Sequence, residues 1–105
     1  SQKLNKGTAA FVLASVSYRI KGGAGLISQR DIAKEIARFP EVQEVHIVTG
    51  DWDLLMKLKA ENVDAVGKFV IDKLRFVKGI DKTLTCMVFE TCKETTEIPI
   101  EAKAK

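Results

Sequence analysis

The stretch Val48-Thr49-Gly50-Asp51-Trp52-Asp53 sets two carboxylates and an indole on what reads as one tight turn. Gly50 admits a positive φ and leaves backbone N–H groups open. A turn of that make-up can hold a small zwitterion, with N–H groups on its carboxylate and an aspartate on its ammonium. The same residues are also the ordinary stock of hairpin turns. On composition alone that plainer reading suffices, with Asp53 capping the turn.

Other residues with chemical potential find no partners at useful spacing. His46 is the sole histidine and sits mid-strand between Val45 and Ile47, where packing or a hydrogen bond accounts for it. Ser15 and Ser17 have no elbow-type glycine context, and no nucleophile is fixed beside the histidine, so an enzyme reading has little support. Gly22-Gly23-Ala24-Gly25 precedes a helix but is followed by no Gly-Lys-Ser/Thr, so it reads as a strand–helix connection rather than a phosphate cradle. Cys86 and Cys92 are the only cysteines. On one extended strand they lie about 20 Å apart, whereas a disulfide needs less than about 7 Å. Two free thiols and a reducing, cytoplasmic setting are expected. No CxxC, CxxH or HExxH spacing occurs, so neither a metal nor another cofactor is expected.

The elements that must position the turn follow from periodicity. Val16, Tyr18 and Ile20 alternate with Ser15, Ser17 and Arg19, which predicts a half-buried strand running from about Thr8. Ser28 is a fitting N-cap. Ile32, Ile36 and Phe39, with Ala33 and Ala37, give the next helix one apolar face, and Pro40 ends it. Val42–Thr49 and Leu54–Ala60 read as strands joined by the short turn, hence as an antiparallel hairpin. Glu61-Asn62 opens a second helix with Val63, Val66, Val70, Leu74 and Val77 on one face, closed by Gly79. Thr83–Thr91 reads as a fourth strand, and a short edge strand limited by Pro99 is expected around Glu97–Ile100.

The order βαββαβ predicts an α+β, ferredoxin-like domain: a four-stranded antiparallel sheet with two helices on one face. The other face of that sheet has no cover within one chain, and strand four offers apolar groups to both faces, which predicts dimerisation through the sheet. The chain has 105 residues, 46% apolar and 30% charged, and suits one domain with a core over about residues 8–92 and terminal extensions at 1–7 and 93–105. No apolar run approaches the roughly 20 residues that span a bilayer, and no secretory signal is visible. The net charge of +3 is mild and interleaved, unlike the dense stripe of a nucleic-acid surface. Phe11, Tyr18 and Phe89 are too scattered for base stacking on the sheet.

The stretch from Phe39-Pro40-Glu41-Val42 through Val45 to Val48-Thr49-Gly50-Asp51-Trp52-Asp53-Leu54-Leu55, continued by Val77-Lys78-Gly79-Ile80 and Thr83-Leu84-Thr85, resembles the effector domain of the Lrp/AsnC family, the RAM domain (regulation of amino acid metabolism). The resemblance covers about Thr8 to Thr91. It implies a domain that dimerises through its sheets and binds amino acids where dimers meet. By that resemblance the amino-acid site comprises Thr49, Gly50, Asp51, Trp52 and Asp53, with Thr83 and Thr85 from strand four, Asp51 standing at the acidic position that meets the ammonium. Partners implied are a free amino acid, a second copy, a ring-like oligomer of dimers and a full-length regulator of the family. Full-length members carry an N-terminal helix-turn-helix domain. Here the first strand starts near Thr8, so the chain reads as a stand-alone effector module with no sequence-specific DNA contact of its own. The connection Lys21–Gln29 is longer and richer in glycine than the family's usual loop. Two other readings compete. An ACT-type sensor places a glycine-bearing turn where Gly22–Gly25 stand, but the Val48–Asp53 hairpin argues against it. A small dimeric monooxygenase or isomerase of this fold needs a closed cavity beside His46 or an aspartate.

Overall fold

The computed structural model describes residues 7–17 and 28–98. Its elements are β1 (Thr8–Val16), α1 (Gln29–Ala37), β2 (Val42–Ile47), β3 (Leu54–Ala60), α2 (Val63–Asp72), a 3₁₀ helix (Leu74–Phe76) and β4 (Ile80–Met87). The strands form one antiparallel sheet in the order β2-β3-β1-β4, which is the expected ferredoxin-like arrangement.

Local chemistry starts both helices. Ser28 Oγ accepts from the N–H groups of Arg30 and Asp31 at 3.1 and 3.4 Å. Asn62 Oδ1 accepts from Ala65 N–H at 2.8 Å. Each bond satisfies a donor that the first turn leaves without an intrahelical partner. The helices then bury one face each: Ile32 and Ile36 from α1, and Val66, Phe69 and Val70 from α2. Phe39 and Phe69 meet edge to face with centroids 5.3 Å apart, joining the end of α1 to α2. Val63, expected in the apolar stripe of α2, is exposed instead. It is the first residue of the helix and precedes the turn that reaches the sheet.

Ala10, Val12, Ala14 and Val16 of β1 and Leu54, Met56 and Leu58 of β3 face the helices and are buried. Their alternation fits the two-residue period of a strand with one covered face. The opposite face carries Phe11 and Leu13 of β1, Leu55 of β3, and Leu84 and Cys86 of β4, in register as Leu55, Leu13 and Leu84 across three strands. No element of the described residues covers this band, and Phe11 and Leu84 are among the exposed large apolar side chains.

Strand limits differ from the sequence reading where a partner is missing. The β1 strand ends at Val16, and Tyr18 and Ile20 lie outside the described residues, as does the glycine-rich connection. The β2 strand stops at Ile47, because Val48 N–H turns to the Asp53 carbonyl at 3.0 Å. Thr83 is not the start of β4. Gly79, at φ 100°, releases the chain into pairing at Ile80 opposite Val16. The β4 ladder ends at Met87 rather than Thr91, since Met87 pairs with Ala10 and Val88 N–H reaches Ala9 near the start of β1. Glu97 and Ile98 form no strand, and Pro99 and Ile100 lie outside the described residues. Beyond β4 the chain passes back across the sheet, where Lys57 Nζ donates to Glu94 at 2.7 Å.

Candidate functional site

The turn between β2 and β3 is closed by two backbone hydrogen bonds. Val48 N–H donates to the Asp53 carbonyl, and Asp53 N–H donates to the Ala14 carbonyl at 2.9 Å. Gly50 has φ 115°, which a side chain rarely tolerates. A Cβ built there meets nothing within 4 Å, so backbone conformation alone calls for glycine.

The two aspartates of the turn point to different surroundings. Asp53 Oδ2 accepts from Val16 N–H at 2.8 Å, and its Oδ1 accepts from Gln29 Nε2 at 3.1 Å. One carboxylate therefore ties the turn to the last residue of β1 and the first of α1. Thr49, Gly50 and Asp51 are exposed on the turn, while Trp52 is half-buried.

Trp52 and Thr83 line one open cavity of about 580 Å³. The register explains the meeting. Thr83 pairs with Ala14 across the β1–β4 ladder, and Ala14 is the residue whose carbonyl holds Asp53 N–H. Strand β1 thus brings the hairpin turn and the start of β4 to one end of the sheet. Thr85 lies one pleat further along the same face of β4, is exposed, and does not line the cavity. Thr49, Gly50, Asp51 and Asp53 do not line it either.

Three charged residues join the cavity that the sequence reading did not single out: Arg75 from the 3₁₀ helix, and Asp81 and Lys82 from β4. Asp81 and Lys82 lie between Val77–Ile80 and Thr83–Thr85, the two stretches that carried the resemblance. Nothing in the local pattern marks Arg75, because the 3₁₀ helix that turns it toward β4 is set by the end of α2. Ser15 Oγ accepts from Lys82 N–H at 3.1 Å, so that serine holds the backbone of β4.

His46 is exposed on β2, with Nε2 3.0 Å from Glu44 Oε1. Both cysteines are free and exposed. Among the described residues no three His, Cys, Asp or Glu side chains stand together as a metal site, and no helix is long and apolar enough to cross a membrane.

Residues 14–98 match the Lrp/AsnC ligand binding domain. An HTH-type transcriptional regulator of Pyrococcus abyssi, otherwise uncharacterized, is 47% identical over 93 residues, which is 89% of this chain and 59% of that protein. The chain therefore spans little more than half the length of that relative. Among solved structures, a transcriptional regulator of Neisseria meningitidis in complex with L-Met superimposes with a TM-score of 0.80 at 24% identity, over 97% of this chain and 62% of its own. An AsnC family transcriptional regulator of Agrobacterium tumefaciens gives 0.76 at 22% identity, over 96% of this chain and 62% of its own. At such identities the structures speak for the fold. The family match rests on the sequence, and the relatives it matches are transcriptional regulators. With its βαββαβ sheet, its hairpin turn and residues 14–98 all matched, the chain belongs to the Lrp/AsnC ligand binding domain family.

Proposed function

We propose that this module binds a free amino acid at the end of the sheet formed by the Thr49–Asp53 turn with Thr83 and Thr85, and that it does so as an oligomer built from dimers. The observation that carries the reading is the cavity shared by Trp52 and Thr83, which joins the two segments otherwise 31 positions apart in the chain. Its volume lies within the roughly 300–1,000 Å³ of small-molecule sites. The Thr83 hydroxyl and the backbone N–H groups around Gly50 are donors of the kind an α-carboxylate needs. Exposed Asp51 adds an anion on the same turn. The Neisseria regulator was solved with L-Met bound, which is a ligand of this chemical type.

Dimerisation uses the uncovered sheet face, where Leu13, Leu55 and Leu84 align across three strands. Burying such a band stabilises association at roughly 25 cal/mol per Å² of apolar surface before the costs of ordering are met. A thermal-shift screen of the twenty amino acids tests the ligand reading. A ligand that binds only the folded state at a hundred times its Kd adds about 2.7 kcal/mol. One amino acid, or one chemically related group, is expected to raise Tm by several degrees. A flat response to all twenty overturns amino-acid sensing and leaves a role in assembly.

A further inference from the structure

Helix α2 carries more apolar surface than it spends on the sheet. Val66 and Val70 are buried in the core, and Phe69 turns to Phe39 beyond the end of α1. Val63, Gly67 and Ile71 recur every four residues and so share a further flank of the helix. Val63 is 61% exposed and Ile71 57%. The glycine between them has no cause within the chain. Its φ is not positive, and a Cβ built on it meets nothing within 4 Å. Glycine inside a helix is nonetheless less favourable than alanine, so its use here points to a backbone that must be approached from outside. Asp64 and Lys68 border the flank, both exposed, with Nζ 3.7 Å from Oδ2.

We propose that this flank docks on the same flank of a second copy, with the two helices antiparallel and crossing at Gly67. The apolar stripe is symmetric about the glycine. A two-fold axis there sets Val63 against the partner's Ile71, and Ile71 against the partner's Val63. With no side chain at the crossing, the helix axes reach the short end of the usual 8–10 Å separation. The charges fix the direction. Antiparallel, Asp64 lies about 3 Å along the axis from the partner's Lys68, at 1.5 Å per residue, and the reverse pair forms with it. Parallel, Asp64 would face Asp64 and Lys68 would face Lys68, which like-charge repulsion disfavours. The contact is short beside the roughly 1,000 Å² of a stable interface. It therefore joins sheet-face dimers, each of which presents it twice. It uses neither the apolar sheet face nor the cavity beside the turn, and it does not rest on the amino-acid reading.

Light scattering of the full chain at micromolar concentration tests this contact. The parent is expected at four or more times the 11.6 kDa chain mass. Gly67→Gln places a long, helix-favouring side chain at the crossing and is expected to halve the mass. Circular dichroism should show no less helix in that variant, because the position is open within the chain. Asp64→Lys gathers four cations around the crossing and is also expected to halve the mass. Adding Lys68→Asp to it should restore the mass, because the reversed order is again complementary across the two-fold axis. If Gly67→Gln folds and keeps the parent's mass, whatever that mass is, the inference is overturned. If Gly67→Gln loses helix, the charge variants decide alone. If Asp64→Lys keeps the parent's mass, or Lys68→Asp fails to rescue it, the helices do not cross antiparallel and the inference is again overturned. None of these outcomes bears on the thermal-shift screen of the parent chain, which tests amino-acid binding by itself.

Discussion

Asp51 and Asp53 stand two positions apart on one turn, and their carboxylates answer to different demands. Asp53 accepts from Val16 N–H and from Gln29, and Val16 is only 7% exposed. Asp53→Ala leaves that buried N–H without an acceptor, which costs about 1–3 kcal/mol. Thermal unfolding should show a fall in Tm of about 4 °C or more, given the usual scaling for a domain of this size. Asp51→Ala removes an exposed side chain and should leave Tm within the scatter of surface substitutions. Equal losses for the two variants would show that the Asp53 carboxylate does not brace the turn. The sequence displays both residues as turn aspartates. Only the register of β1 against β3 separates the brace from the exposed group, and register is a property of two distant segments together.

At the level of elements, Glu41 at the entrance to β2 accepts from Lys73 Nζ at 2.7 Å, just past the end of α2. The hydrogen bond from Lys73 holds the Glu41 carboxyl below its ordinary value of 4.5, against the opposing effect of partial burial. A carboxyl depressed in the folded state stabilises above its unfolded value, and that contribution is lost as pH falls through the folded value. Lys73→Met should therefore lower stability at pH 7 by under about 1 kcal/mol, the range of partly exposed pairs. The difference between parent and variant should shrink as acid denaturation approaches pH 4 and below. A gap that stays constant with pH would assign the effect to packing of the lysine stem. The starts of both helices and their N-caps were legible in the chain, because Ser28, Asn62 and the apolar spacing act within one or two turns, whereas α2 stops at Asp72 and gives way to a 3₁₀ turn instead of running on to Gly79. The ends of β1, β2 and β4 were less so. Strand β4 stops at Met87 opposite Ala10, a limit set by its register against β1 and not written in β4. The charged lining of the cavity was illegible for the same reason, since Arg75 reaches it only through the 3₁₀ helix after α2.

Among the described residues one sheet face is packed by the helices, and the other is met only by the segment after β4. Light scattering at micromolar concentration should return at least twice the 11.6 kDa chain mass. Leu84→Glu places a charge in the centre of the apolar band and should shift the population toward the single chain, since burying an unpaired carboxylate is costly. A parent chain that scatters as a monomer would remove the dimer from the proposal. Both described helices spend their apolar faces on the sheet, and the net charge is only +3. This 105-residue chain is accordingly expected to give no sequence-specific shift in a gel at physiological salt, where phosphate contacts fade steeply. A retarded band that survives competitor DNA would contradict this.

The pairing of Ala10 with Met87 puts the first strand of the domain in the middle of the sheet, between a strand made halfway along and a strand made last. Loop closure over that separation must precede the contacts that reward it. On the ribosome, β1 therefore waits through the synthesis of both helices with one edge unsatisfied, and the sheet closes only when the segment to Met87 has cleared the exit tunnel. Nascent chains arrested with Ile80–Met87 still inside should be protease-sensitive, and release of that single strand should confer protection in one step.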